Sequence, residues 1–265
     1  MNKTLIFSVA LSAALLQHAK ATVILSDDFN SYANGNLVGQ GTWAQTGATA
    51  TTPVQVNGGA VTIGNTGQDV YDPFSSAVTL GDGQSLYFGL AINVSAAQAT
   101  GDYFMHFTPD AGNSSLFYDR LFIKSTTGGY LLGLEGTAGG GATVTYGTTV
   151  LSLNTSYNIV LAYNYFSATP SNSVDSVYVN PTDSTVGNNT AYLTAAWGSA
   201  NMDTNRIAAV NFRQGSALNA PTLTVDNLII ATTFSDIVAP VPEPSTIALA
   251  ALGGGACLLA YRRKR

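Results

Sequence analysis

Cysteine is nearly missing from this chain: Cys257 is the only one in 265 residues, and it falls in an uncharged run near the C-terminus. Everything before that run is therefore without a disulfide. Histidine is as scarce, with only His18 and His106, so the nitrogen and sulfur ligands of an ordinary zinc site are not available. The glutamates are Glu135 and Glu243 alone, which removes the two-glutamate strand on which many glycoside hydrolases rely. No two aspartates stand at i and i+2 or i+4 on an expected strand, and no Gly-x-Ser-x-Gly elbow occurs. The sequence offers no catalytic set. Positive charge is sparse too. Between Asp27 and Asp236 the only cations are Arg120, Lys124, Arg206 and Arg213, against thirteen aspartates and Glu135. An acidic body of this kind disfavours nucleic acid and anionic lipid as partners.

Each end of the chain carries a short apolar run. Lys3 opens a small basic region, Leu5 to Leu16 is an apolar core of signal-peptide length, and Ala19-Lys20-Ala21 fits a small-x-small cleavage site. Residues 1–21 are read as a signal peptide handled by the Sec machinery and signal peptidase, with Thr22 as the mature N-terminus. The alternative is a retained N-terminal anchor, for which the run is short. At the other end Val241-Pro242-Glu243-Pro244-Ser245 precedes an uncharged stretch from Ile247 to Tyr261, and Arg262, Arg263, Lys264 and Arg265 close the chain. As a helix that stretch measures about 22 Å, short of a ~30 Å hydrocarbon core. The stems of Arg262 and Arg263 extend it by snorkelling. A terminal basic cluster stays on the cytoplasmic side, which leaves the body outside. The alternative, a buried C-terminal helix of a soluble domain, fits poorly with four terminal cations and with Pro242 and Pro244 just upstream.

This ordered set of Pro-Glu-Pro, short transmembrane helix and basic end resembles the PEP-CTERM sorting signal of Gram-negative bacteria. The resemblance implies an exosortase as partner, which cuts near Val241-Pro242-Glu243-Pro244. It also implies an inner-membrane-anchored precursor, with its body in the periplasm and C-terminus in the cytoplasm, that is later passed to the cell surface or outside. Bacteria with this system typically make exopolysaccharide.

Residues 22–234 form the body. Apolar residues recur there with period two, as in Tyr157, Ile159, Leu161 and Tyr163, so strands are expected rather than helices. Val160 and Ala162 make the other face of that segment apolar as well, which places it inside a sandwich. Further strands are expected at 60–63, 76–80, 85–94, 102–108, 118–125, 129–135, 143–146, 173–179, 206–213 and 222–232. A first strand is expected to begin at Asp27 and Asp28. Gly81-Asp82-Gly83, Pro109 to Asn113, Gly139-Gly140-Gly141 and Asn180-Pro181 punctuate them. Residues 235–244 read as a Pro-rich linker and 245–265 as the transmembrane helix with its basic tail. The expected fold is all-β, a two-sheet antiparallel jelly-roll sandwich preceded by a signal peptide and followed by one C-terminal transmembrane helix. Ser26-Asp27-Asp28-Phe29, Tyr157 to Pro181, Arg206 to Gly215 and Leu223 to Leu228 resemble concanavalin A-like, laminin-G-like domains of secreted bacterial proteins.

Candidate sites in the body follow from side-chain chemistry. Trp43 and Trp197 stand in loop-like, Gly-rich contexts and are the candidate carbohydrate platforms. Asp28 and Asp226 lie near the two ends of the body. With backbone carbonyls they are candidate ligands of a structural calcium ion. The alternative is that they pair with Arg206 or Arg213, or cap strand ends. His106, on an apolar strand, reads as a core histidine. The body is thus expected to be a noncatalytic surface or matrix protein and not an enzyme; the alternatives are a carbohydrate-binding module and an atypical glycoside hydrolase with two carboxylates across a cleft.

Overall fold

Period-two alternation sets the architecture seen in the computed structural model, which describes residues 23–47, 52–136, 143–167, 173–196 and 204–238. Along β7 (Ser85–Ala96), Leu86, Phe88, Leu90, Ile92 and Val94 are buried while Tyr87, Ala91 and Asn93 are half-exposed. The chain builds two antiparallel sheets around that buried face. One has the order β14 (Leu193–Ala196), β13 (Val174–Val179), β12 (Ser156–Asn164), β7, β16 (Thr222–Ala231), β5 (Ala60–Ile63), β4 (Gln55–Asn57), β2 (Gly35–Asn36). The first strand, β1 (Val23–Asp27), also pairs with β16, which makes nine strands. The second sheet has the order β11 (Thr145–Tyr146), β10 (Gly129–Glu135), β9 (Tyr118–Thr126), β8 (Asp102–Thr108), β15 (Arg206–Phe212), β6 (Asp69–Thr79), β3 (Ala44–Thr46).

The two sheets bury a common aromatic and aliphatic core. Phe88 of the first sheet stacks on Phe107 of the second with ring centroids 3.6 Å apart. Buried Tyr163 donates its hydroxyl proton to the Thr204 carbonyl at 2.6 Å and accepts from the Thr204 amide at 2.8 Å, so its polar tip is satisfied at the entry to β15.

The apolar second face of β12 has a specific cover. Phe234–Val238 forms a single short helix, α1, and Phe234 packs edge-on against Tyr87 and Tyr178, closing over Val160 and Ala162. Gly89 permits this approach, because a β-carbon there would collide with Ile237 of α1 and press on Ile229. The folded body therefore runs to Val238, and the first part of the expected 235–244 linker is docked rather than free. Residues 239–265 and 1–22 lie outside the described residues, as do the expected signal peptide and transmembrane helix. No helix among the described residues is long and apolar enough to cross a membrane.

Two strand expectations are corrected. The first strand ends at Asp27 instead of starting there, since Asp27 accepts the Phe29 amide at 2.9 Å and turns the chain, with Phe29 at φ 54°. The strand placed at 76–80 begins at Asp69. Pro73 obscured it, yet proline is tolerated there because β3 pairs with β6 only at Asp69 to Tyr71, leaving the rest of β6 as an edge.

Candidate functional site

Trp43 is not an exposed platform. It is 2 % exposed, stacks on Phe212 with centroids 5.0 Å apart, and donates its indole N–H to Asp27 Oδ2 at 2.8 Å. The Gly-rich context suggested a loop tip, but the residue immediately before β3 is folded back into the core. Trp197 lies outside the described residues. Among the tyrosines, Tyr118 and Tyr130 are core, while Tyr146 is half-buried with the Lys124 ammonium 5.2 Å above its ring.

Asp28 and Asp226 are brought together by the pairing of β1 with β16, where Asp27 stands opposite Leu228. Burial raises the pKa of Asp226, and the nearby Asp28 charge raises it further. Each carboxylate is used locally: Asp28 Oδ1 accepts the Asn30 amide at 3.1 Å, and Asp226 Oδ1 accepts the Asn227 amide at 2.7 Å. Their pairing with arginine is not seen, since Arg206 bonds Asp110 at 3.1 Å and Arg213 bonds Asp102 at 2.8 Å. Calcium takes six to eight oxygens. Among the described residues no group of three or more acidic, His or Cys side chains is arranged to hold a metal ion. The pair offers part of a calcium shell at most, with carbonyls left to supply the rest.

The seven-stranded sheet gathers all four cations of the body on β9, on β15 and directly after β15. Arg213 and Arg120 both lie over the Tyr103 ring, at 4.2 and 5.3 Å from its centroid. Arg120 also pairs with Glu135 at 3.1 Å, both nearly buried, so the body's single glutamate is held in an ion pair. His106 sits alongside, 2 % exposed, with Phe117 4.4 Å and Tyr103 5.6 Å from its ring centroid. Burial, with Arg213 and Arg120 adding to it, pushes its pKa down to about 3. Among the described residues neither ring nitrogen has a hydrogen-bond partner. His106 is therefore neutral at physiological pH and bonded to no nucleophile, as expected of a core histidine.

A cleft of about 580 Å³ opens between the edge of β6 and β1, and its polar groups escaped the sequence reading. Asp72 is 4 % exposed and accepts the Thr42 hydroxyl through Oδ1. Burial lifts its pKa to about 6, the Thr42 bond opposing and the Asp27 charge assisting. Across the cleft Tyr32 donates to Asp27 Oδ2 at 2.7 Å, and burial with that acidic contact raises the phenol well above its ordinary value. The available signal was Val70-x-Asp72-x-Phe74, one aspartate on an otherwise apolar strand face, hidden because the strand was expected to start at 76.

Residues 240–265 match the PEP-CTERM protein-sorting motif. No curated protein is similar to the chain in sequence. Among solved structures, the CBM2 module of an evolved Dit protein from Lactobacillus casei BL23 phage J-1 is similar at 10% identity and TM-score 0.50. That match covers 80% of this chain and 96% of the module. The T. cruzi calreticulin globular domain is similar at 8% identity and TM-score 0.50, covering 91% of this chain and all of that one. A mutant of alginate lyase Aly36B in complex with alginate tetrasaccharide follows at 17% identity and TM-score 0.47, covering 78% and 95%. These likenesses concern the fold. The chain is a two-sheet jelly-roll sandwich that carries a PEP-CTERM sorting motif at residues 240–265.

Proposed function

We propose that this chain is a noncatalytic cell-surface or extracellular-matrix protein, exported through the Sec machinery, anchored transiently by its C-terminus and processed by an exosortase. The observation that carries the reading is the sorting motif at residues 240–265, which falls on Val241-Pro242-Glu243-Pro244 and the closing Arg262 to Arg265. The signal-peptide pattern ending at Ala19-Lys20-Ala21 supports the same route. The jelly roll is then the cargo, and its association is with exopolysaccharide. Support for a noncatalytic cargo comes from Glu135, which is committed to Arg120, and from His106, which has no bonded partner.

The test uses the full chain with one epitope after Thr22 and another after Arg265, in cells with and without the exosortase. The C-terminal epitope is expected to be lost, and the N-terminal one to reach the surface or medium with the polysaccharide fraction, only where the exosortase is present. Both epitopes staying together in both strains, or release that ignores the enzyme, overturns the proposal.

A further inference from the structure

We propose that the cleft between β1 and the edge of β6 binds an uncharged, hydroxyl-rich saccharide, with Asp72 as its principal hydrogen-bond acceptor. This rests on the reading of the body as polysaccharide-associated and names the ligand class and the site.

The walls of the cleft are rich in acceptors and poor in donors. Asp72 is nine-tenths buried, lines the cleft and uses one oxygen, Oδ1, for Thr42, while among the described residues Oδ2 accepts no hydrogen bond. The Tyr32 and Thr42 hydroxyls spend their protons on Asp27 and Asp72, so both keep lone pairs and nothing to donate. Ser31 and Ser75 add hydroxyls that can turn either way, and the Pro73 ring gives an apolar wall. Such a surface suits a ligand that brings many O–H donors and a C–H face. Neutral sugars bring both. The volume is within the range of small-ligand sites.

Charge narrows the class. None of the body's four cations lines the cleft, because Arg120, Arg206 and Arg213 are paired elsewhere and Lys124 lies over Tyr146. Asp27, Asp28 and Asp72 all border it. Uronates or sulfated sugars would therefore meet repulsion with no counter-ion. Binding rather than hydrolysis is the chemistry on offer, since Asp27 is held by the Phe29 amide, the Tyr32 hydroxyl and the Trp43 indole and serves as scaffold.

Acidity provides an internal control. The titratable groups facing Asp72 are Asp27 and Tyr32, with Asp28 beyond them. Protonating Asp72 near pH 6 removes its charge and turns one acceptor oxygen into an O–H donor, so retention should fall as the pH drops through that value.

The experiment measures retention of the full chain, purified in detergent, on immobilised neutral glucan, mannan and galactan, on alginate and polygalacturonate, and on chitosan. At pH 7.5 the wild type is expected to bind at least one neutral polymer and to bind the anionic ones at least tenfold more weakly. Asp72→Asn should weaken neutral binding tenfold or more, and Ser75→Ala, an exposed and structurally mild change, several-fold. Thermal melting confirms that each variant is folded. Neutral binding that both folded variants leave unchanged refutes this cleft and leaves the polysaccharide association standing. Preference for anionic polymers or for chitosan overturns the ligand class. No retention on any polymer overturns both the inference and the association, while processing by the exosortase is judged separately by its epitopes.

Discussion

Replacing Asp72 with Asn isolates the cost of keeping a carboxylate on the inner face of β6. The folded protein holds that group at a pKa of about 6 against an ordinary 3.8, chiefly because burial penalises the charge. A raised carboxylate pKa means that, between these values, the folded chain keeps a proton that the unfolded chain has released. Stability is therefore fully present at the acid end and falls as the pH rises through about 6. Two pH units correspond to about 3 kcal/mol. Asparagine keeps the oxygen that accepts the Thr42 hydroxyl and does not ionise. The stability of Asp72→Asn minus that of the wild type should rise by about 3 kcal/mol between pH 3 and pH 7.5. With a urea m-value of about 3 kcal/mol/M, the midpoints should separate by about 1 M over that range. All other titrating groups are shared by the two proteins, so their effects cancel in the difference. Parallel stability curves across this range would refute the assignment of a buried, proton-retaining Asp72.

Three further outcomes are expected. Trp43→Ala should cost about 3–5 kcal/mol and lower Tm by about 10 °C, as for an aromatic core residue; an unchanged melting temperature, or lost glycan retention in a fully stable protein, contradicts its burial. Arg120→Met removes the ion-pair partner of buried Glu135 and should cost about 3–5 kcal/mol in denaturant titrations. Arg120→Met with Glu135→Leu should recover most of it, and a double variant as unstable as the single one would count against the pair. If Asp28 and Asp226 complete a calcium shell with carbonyls, calcium at a hundredfold its Kd should add about 2.7 kcal/mol and chelator should remove it. Asp226→Asn should abolish the response, and a melting temperature indifferent to chelator excludes the ion.

Period-two patterning made most of the sandwich legible. The segments at 102–108 and 129–135 stand where β8 and β10 are found, because their apolar faces run uninterrupted. The short strands β2, β3 and β14 show no clear apolar period of their own, and pairing alone defines them. The both-sided apolar character of β12 was visible, while its cause was not: one face meets the core and the other meets α1, a five-residue helix no periodicity could announce. Site residues fared less well. Trp43 looked like a loop residue because glycines precede it, whereas its burial depends on Phe212 and Asp27, which are remote or on another strand. Asp72 required knowing that Pro73 sits on an edge.

Docking of α1 also sets a leash. Val238 is fixed against the outer face of the nine-stranded sheet, and Pro242 comes four residues later. At no more than ~3.5 Å per residue the motif can stand only about 14 Å from the point where the chain leaves the body. Any enzyme that reads the motif must work in the shadow of a folded sandwich. Peeling off Phe234–Val238 would lengthen the tether by five residues, about 17 Å more reach. Under the proposed processing, the packing of buried Phe234 between Tyr87 and Tyr178 sets how much clearance the exosortase has, and α1 becomes a control on access to the far end of the chain.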